Sequence, residues 1–168
     1  EEASGAPVVG ADGTVYVASG KHHLMALDGD DGQQRWSREF QGWLVGAPAI
    51  SAEGTLGMVL KERGDQVLCL DAETGETRWQ RPLQQQSMLG RSVAISPQGT
   101  ILAFENADLS LRALDGHSGR TVWKFPVSDY LSGDLATGDD GSVYVSRTSG
   151  DVLALDAQDG RLMWKQKL

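Results

Sequence analysis

Short apolar-rich stretches separated by turn residues recur along this chain, and residues 91–127 illustrate the pattern. Pro97-Gln98-Gly99 is a turn signal, because proline presets φ and glycine accepts a positive φ. The apolar-rich stretches cover residues 91–96, 100–105, 109–114 and 121–125, with the short connections that are typical of antiparallel hairpins. No stretch of eleven or more residues has a convincing helical period. The pattern therefore predicts a meander of four strands.

The same four-strand pattern occurs four times, and each copy contains one eleven-residue phrase. The phrases read ALDGDDGQQRW, CLDAETGETRW, ALDGHSGRTVW and ALDAQDGRLMW. They end at Trp36, Trp79, Trp123 and Trp164, which are 43, 44 and 41 residues apart. A fixed period in the low forties indicates a repeat architecture. We expect repeat units at about residues 6–40, 47–83, 91–127 and 133–168 of a single all-β domain.

A four-stranded antiparallel sheet cannot bury both of its faces alone, so each unit must stack on its neighbours. Radial stacking gives a β-propeller, which leaves only short and protected sheet edges. A linear stack of sheets is the lesser alternative. We therefore predict a propeller with four blades in this chain.

Three positions of the phrase suit a role in holding blades together. The carboxylates can accept backbone N–H bonds in the turn that follows them: Asp28, Asp71, Asp115 and Asp156. The glycines supply a positive φ and allow another group to approach the backbone: Gly32, Gly75, Gly119 and Gly160. The indole covers a large apolar area and needs one hydrogen-bond acceptor. Since these residues recur in every copy, we interpret them as structural docking residues and not as parts of one active site.

Composition narrows the function classes. The formal net charge of −8 opposes binding to phosphate backbones, so we expect no nucleic-acid partner. No run of 18 apolar residues is present, so we expect no direct membrane insertion. The single cysteine, Cys69, excludes a disulfide within the chain and occupies an alanine position of the repeat, which favours a buried, inert thiol.

The phrase resembles the tryptophan-docking motif of PQQ-like propeller repeats. That family includes quinoprotein alcohol dehydrogenases, BamB-type assembly lipoproteins of the outer membrane and sensor domains of some bacterial kinases. The resemblance covers nearly the whole chain and implies that each tryptophan packs on the glycine turn of an adjacent blade. It also favours an extracytoplasmic location. Asp31, Ser118 and Asp159 replace the family's threonine, and Cys69 replaces one alanine.

Ring closure is open at this stage, because the family usually has seven or eight blades. The chain can be part of a larger propeller whose remaining blades lie elsewhere, or a homodimer can complete an eight-bladed ring. Four blades can also close alone. We favour an eight-bladed ring, by either of the first two routes.

No catalytic residues, cofactor or metal site are predicted. By resemblance, quinoprotein dehydrogenases need a disulfide of adjacent cysteines and calcium ligands, and neither is evident in this sequence. His22 and His23 are adjacent on a strand and so point to opposite faces, which disfavours a shared metal. No nucleophile, base and orienting group stand together as a set. The alternative is that the chain is part of a PQQ-dependent, dehydrogenase-like enzyme.

The remaining function class is binding, and the positions that vary between copies are the candidates for it. The connections into three inner strands place apolar residues at equivalent depth: Trp43, Leu44, Met88, Leu89, Tyr130 and Leu131. An apolar rim of this kind is a candidate site for a protein or peptide partner. The alternative is that these side chains fill gaps between blades. The expected function is that of a non-catalytic interaction, scaffold or ligand-sensing module.

Overall fold

The described part of the chain forms four antiparallel sheets of four strands each. A computed structural model describes residues 5–19, 22–83 and 93–168. Within those ranges there is no helix, so none that could cross a membrane. In each sheet the strands are paired in the order in which they follow one another along the chain, which is the predicted meander. The prediction of an all-β propeller with four-stranded blades is confirmed.

The strand bounds are as follows. The first blade contains β1 (Val8–Val9), β2 (Val15–Ser19), β3 (His23–Leu27) and β4 (Gln34–Glu39). The second contains β5 (Trp43–Ile50), β6 (Thr55–Lys61), β7 (Asp65–Asp71) and β8 (Thr77–Pro82). The third contains β9 (Val93–Ile95), β10 (Ile101–Glu105), β11 (Ser110–Leu114) and β12 (Thr121–Pro126). The fourth contains β13 (Ala136–Thr137), β14 (Ser142–Ser146), β15 (Asp151–Asp156) and β16 (Leu162–Lys167).

The core lies between the blades, as stacked sheets require. One hydrophobic cluster joins the first blade to the second, another joins the second to the third, and a third joins the third to the fourth. Side chains of β6 are buried almost throughout, because this strand has a blade on each side. By contrast, β16 is exposed along its whole length. Among the described residues, no core cluster joins the fourth blade to the first.

One boundary differs from the expectation for the connections into the inner strands. Residues 43–46 were expected in a connection, but β5 already begins at Trp43. The reason is the longer hairpin between β6 and β7, which extends β6 to Lys61 and gives Trp43 a cross-strand partner there. The pairing register then shifts between Val45 and Ala49, beside Gly46 with φ +76°. Because of this β-bulge, β5 includes both the rim residue Trp43 and the inner-strand residues that follow Gly46.

Candidate functional site

Three of the four phrase tryptophans lie on the glycine turn of the next blade. A Cβ added to Gly75 would lie 2.9 Å from Cδ2 of Trp36. The corresponding distance is 2.8 Å from Gly119 to Trp79 and 2.6 Å from Gly160 to Trp123. Only a residue without a Cβ allows the indole ring to lie this close to the backbone.

Each of these indoles also makes one hydrogen bond across the junction. Nε1 of Trp36 donates to the carbonyl of Ala72 at 2.9 Å, Nε1 of Trp79 to that of Gly116 at 3.0 Å, and Nε1 of Trp123 to that of Ala157 at 2.8 Å. The accepting residue always follows the phrase aspartate directly. The ring is thus covered on its apolar face and paired at its polar edge, which satisfies both requirements of a buried indole.

The phrase aspartates shape the turns that receive the indoles. Oδ1 of Asp71 accepts the backbone N–H of Thr74 at 3.0 Å, and Oδ1 of Asp115 accepts that of Ser118 at 2.7 Å. A hydrogen bond from the Arg78 guanidinium, followed by those from Thr74, holds the pKa of Asp71 below its usual value. Hydrogen bonds of this kind replace solvent for a carboxylate and fix the turn. These are the turns in which the glycines adopt a positive φ.

The fourth tryptophan and the first turn have no counterpart in the described part of the chain. Trp164 is 45% exposed and packs against Tyr144, with ring centroids 5.9 Å apart. A Cβ added to Gly32 would meet nothing within 4 Å, although its φ of +72° matches the other three turns. The structure therefore brings three of the four predicted docking pairs together and leaves one half of a pair at each end of the blade series.

Arginines next to two of the tryptophans were missed by sequence reasoning. Nη2 of Arg35 lies 2.9 Å from Oδ2 of Asp28, and Nη2 of Arg78 lies 2.8 Å from Oδ2 of Asp71. Each pair ties the outer strand to the turn of its own blade. The signal was in the phrase, since arginine precedes tryptophan in the first two copies. Val122 occupies that position in the third copy and is exposed.

The six rim residues do not form one group. Leu44 and Leu131 are buried in the hydrophobic clusters between blades, which is the gap-filling alternative for these two residues. Trp43 and Tyr130 are 52% and 48% exposed. Met88 and Leu89 lie outside the described residues. In two different blades, an exposed aromatic side chain is therefore followed by a buried leucine that anchors it.

Trp43 borders an open pocket of about 480 Å³ beside the long hairpin between β6 and β7. The lining combines the indole with charged residues of both signs, among them Lys61, Glu62 and Arg63. The connection leading to Trp43 is held by the ring of His22, whose Nδ1 lies 3.0 Å from the carbonyl oxygen of Gly42. An exposed aromatic surface rimmed by charges has the chemistry of a protein-interaction anchor.

Tyr130 lies on a connection that is fixed by one carboxylate. Oδ2 of Asp129 accepts the backbone N–H of Ser149 at 2.8 Å, and Oδ1 accepts both the Thr148 hydroxyl and the N–H of Tyr130 at 2.8 Å. Hydrogen bonds from Ser149 first and Thr148 second hold the pKa of Asp129 well below its usual range. The backbone at Tyr130 is therefore anchored on both sides while its ring is exposed.

The one cysteine of the sequence lies at the junction between the second and third blades. Cys69 is buried, and its Sγ donates to the carbonyl of Gly116 at 3.3 Å, at the junction that Trp79 occupies. Burial raises the pKa of the Cys69 thiol to about 11, which keeps it protonated at neutral pH. Across residues 5–19, 22–83 and 93–168, no three His, Cys, Asp or Glu side chains are grouped so as to hold a metal ion.

Comparison with known proteins identifies the repeat. The PQQ-like family model described as "Outer membrane protein assembly factor BamB" matches residues 1–129 and 107–168. The chain is 26% identical to the assembly factor BamB of Bordetella pertussis, over 95% of this chain and 43% of that protein. It is 28% identical to a polyvinylalcohol dehydrogenase of a Sphingopyxis species, over 60% of this chain and 19% of that protein.

A solved structure has the same fold. The crystal structure of BamB from Moraxella catarrhalis superposes with a TM-score of 0.77 at 22% identity, over 98% of this chain and 49% of that one. The chain thus spans less than half the length of these relatives. The family match covers the full sequence, and the four phrases with three occupied docking junctions agree with it. The chain therefore belongs to the PQQ-like repeat family of the BamB type.

Proposed function

We propose that this chain is a non-catalytic propeller module that binds a protein partner through the surface containing Trp43 and Tyr130. The observation that carries the proposal is the pairing of an exposed aromatic ring with a buried neighbouring leucine in two separate blades. The backbone at each ring is held before binding, by the pairing of Trp43 with Lys61 and by the hydrogen bonds of Asp129, so less conformational entropy is lost when a partner covers the ring. Tryptophan and tyrosine are also the residues that most often dominate protein interfaces.

The family supports the same class of function, because several of the similar proteins are assembly factors of outer-membrane proteins. By analogy we propose a partner that presents an accessible polypeptide segment, bound in an extracytoplasmic compartment. The charged hairpin beside Trp43 would then contribute to selectivity through its two basic residues and one acidic residue.

Site-specific photo-crosslinking in cells that express the chain tests this function. A benzophenone amino acid is placed at position 43, at position 130 and, as the matched control, at Val122. Val122 is 53% exposed and lies on an outer strand away from the rim. We expect positions 43 and 130 to give an adduct with the same protein and Val122 to give none. Adducts of equal yield from all three positions would argue against a binding surface here.

Trp43→Ala separates binding from folding. Because the indole is half-exposed, we expect a loss of unfolding free energy below about 1 kcal/mol, together with loss of the adduct formed from a crosslinker at position 130. Urea denaturation followed by circular dichroism measures the first effect. A large fall in stability would instead assign Trp43 to the packing between blades.

The second candidate is a part of a PQQ-dependent dehydrogenase, which the similarity to a polyvinylalcohol dehydrogenase favours. Titration calorimetry with pyrroloquinoline quinone and Ca²⁺ tests it directly. Saturable binding at micromolar concentrations would replace the non-catalytic proposal, whereas no heat of binding would leave the interaction module as the better account.

A further inference from the structure

The arginine that precedes the phrase tryptophan is bound in the same way in the first two blades. In the second blade, Nη1 of Arg78 donates to the hydroxyl of Thr55 at 3.0 Å, and Nη2 donates to Oδ2 of Asp71 at 2.8 Å. The first blade has the same arrangement, formed by Arg35, Thr14 and Oδ2 of Asp28. A threonine and a phrase aspartate of one blade thus form a site for one guanidinium group.

The third blade has the two acceptors with a valine in place of the arginine. Thr100 and Asp115 stand at the positions of the threonine and the aspartate, and Val122 stands at that of the arginine. Oδ1 of Asp115 accepts the N–H and the hydroxyl of Ser118, which shapes the turn. The other carboxylate oxygen, Oδ2, is the one that receives the guanidinium in the first two blades. The third blade therefore presents a guanidinium site that its own phrase does not fill.

An open pocket of about 400 Å³ lies at this site, in the groove between the third and fourth blades. Its lining includes Thr100, Asp115 and Val122 from the third blade and Asp140 and Asp156 from the fourth. Among the described residues, no lysine or arginine lines this pocket, whereas an arginine is part of the lining of the corresponding pocket between the first two blades. A pocket of this volume can hold a small organic ligand.

The fourth blade adds a second phrase carboxylate to the pocket. Oδ1 of Asp156 accepts the N–H of Gln158 at 2.8 Å, and Met163 stands where the first two blades have the arginine. Nη2 of Arg161 lies 4.0 Å from Oδ2 of Asp156, and the Arg161 side chain is 67% exposed, so this ion pair contributes little. Three carboxylates around one pocket attract a cation, and the planar fork of a guanidinium can donate to two oxygens at once.

We propose, independently of the function given above, that this pocket binds a small organic molecule with a guanidinium group and a short aliphatic chain. Negative charge alone would attract any cation, but the two occupied copies of the site select a guanidinium. Val122 is 53% exposed and offers an apolar surface to the aliphatic part of the ligand.

The pocket is separate from the surface that contains Trp43 and Tyr130. Gly141, which lines the pocket, belongs to the turn before β14. The connection that contains Tyr130 lies at the other end of this strand, where its carbonyl accepts the N–H of Thr148 at 2.9 Å. A ligand in the pocket therefore leaves the partner surface accessible.

Titration calorimetry of the whole chain with agmatine, at physiological salt, tests the site. Agmatine carries a guanidinium on a short aliphatic chain, and we expect saturable binding to one site with a Kd of about 1 mM or lower. Diaminopentane has the same charge without the guanidinium and should bind at least about tenfold more weakly. Weaker or non-saturable binding of agmatine, or equal binding of both compounds or of Ca²⁺, would overturn the proposal.

Amide chemical shifts followed by NMR during the same titration locate the ligand. We expect the largest changes at Thr100, Asp115 and Val122. Changes of equal size at the acidic turn of the first blade, at Asp28 and Asp30, would mean that agmatine only screens the negative surface, and would overturn the assignment of the pocket.

Variants at the pocket separate binding from folding. Val122→Arg supplies the guanidinium that the first two blades have, and should weaken agmatine binding by more than about tenfold with an unchanged circular dichroism spectrum. Val122→Leu is the matched control, because it keeps an apolar side chain, and should bind agmatine as before. Asp115→Asn keeps an oxygen for Ser118 but removes the charge, and should weaken binding by about tenfold or more. Unchanged binding by Val122→Arg would exclude this pocket.

Two further measurements assign the kind of ligand and its independence from the partner surface. A short acetylated and amidated peptide with one arginine between two glycines should bind no more tightly than agmatine. Binding that is more than about tenfold tighter would overturn the small-molecule assignment in favour of a polypeptide. Trp43→Ala should bind agmatine as the unaltered chain does, so that failure of the partner surface and failure of this pocket are distinguishable.

Discussion

The close approach of indole to glycine gives the sharpest prediction about stability. Alanine at Gly160 and at Gly32 imposes the same backbone penalty, because φ is +74° and +72° at the two positions. That penalty is about 1 kcal/mol for an L-residue in the left-handed region. The two sites differ only in their surroundings. The new Cβ would lie 2.6 Å from the Trp123 ring in one case, and nothing lies within 4 Å in the other.

The overlap at Gly160 adds a second cost. An ordinary carbon–carbon contact is about 3.5–4 Å, so the ring must move by about 1 Å or the two blades must separate. Overpacking of this kind costs about 1–3 kcal/mol, and displacing Trp123 also endangers its hydrogen bond to Ala157. We therefore expect Gly160→Ala to lower the free energy of unfolding by about 3 kcal/mol and Gly32→Ala by about 1 kcal/mol.

Urea denaturation followed by circular dichroism measures the free energy of unfolding of both variants. Gly75→Ala and Gly119→Ala extend the series, with contacts of 2.9 and 2.8 Å to Trp36 and Trp79. We expect both to resemble Gly160→Ala. Equal losses at all four glycines would refute the reasoning, because the cost would then come from the backbone alone and not from the indole.

Further predictions concern one thiol, one buried ion pair and one turn carboxylate. Because burial raises the pKa of Cys69 to about 11, the thiol should resist Ellman's reagent at pH 8 until the chain unfolds. The resulting stabilisation is complete below the unfolded pKa of about 8.5 and is lost as pH rises towards 11, so the urea midpoint should fall between pH 8 and 11. Arg112→Leu leaves the Glu105 carboxylate buried without the guanidinium that lies 2.5 Å from it, and should lower the free energy of unfolding by about 3 kcal/mol. Adding Glu105→Gln should restore more than half of this loss in denaturation experiments. The pKa of Asp129 is lowered chiefly by its hydrogen bond from Ser149. The carboxylate therefore stabilises the folded chain above about pH 3.9, and this stabilisation is lost as pH falls towards the lower pKa of the folded state. Asp129→Asn should therefore speed amide exchange at Ser149 at neutral pH, and unchanged exchange would contradict this role.

The repeat was readable from the sequence because its signals are local. Strand alternation, a glycine in the first turn and the phrase ending in tryptophan are each encoded in a short stretch of sequence, and all four copies repeat them. The four-stranded sheets follow from these signals alone. The approach of Trp123 to Gly160 was expected from the resemblance to the PQQ-like repeats, and a glycine suits it because a Cβ there would block the ring.

The sequence did not predict which rim side chains are exposed and which are buried, because this depends on contacts between blades. Trp43 and Leu44 are adjacent, apolar and equivalent in pattern to Tyr130 and Leu131, yet the aromatic residues are exposed and the leucines are buried. Which of two neighbours turns inward depends on where the next sheet packs. The extension of β5 to Trp43 likewise required the partner strand in the long hairpin.

By itself the sequence determined the blade, its period and the residues that join one blade to the next, because hydrogen-bonded hairpins and a short docking phrase are encoded locally. Only the tertiary structure decided which junctions are filled. Trp36, Trp79 and Trp123 meet a glycine turn, whereas Trp164 and Gly32 meet none in the described part of the chain. The physical reason is that the four phrases share their Asp, Gly and Trp and so have the same local docking chemistry, whereas whether a phrase meets a partner depends on which blade lies beside it.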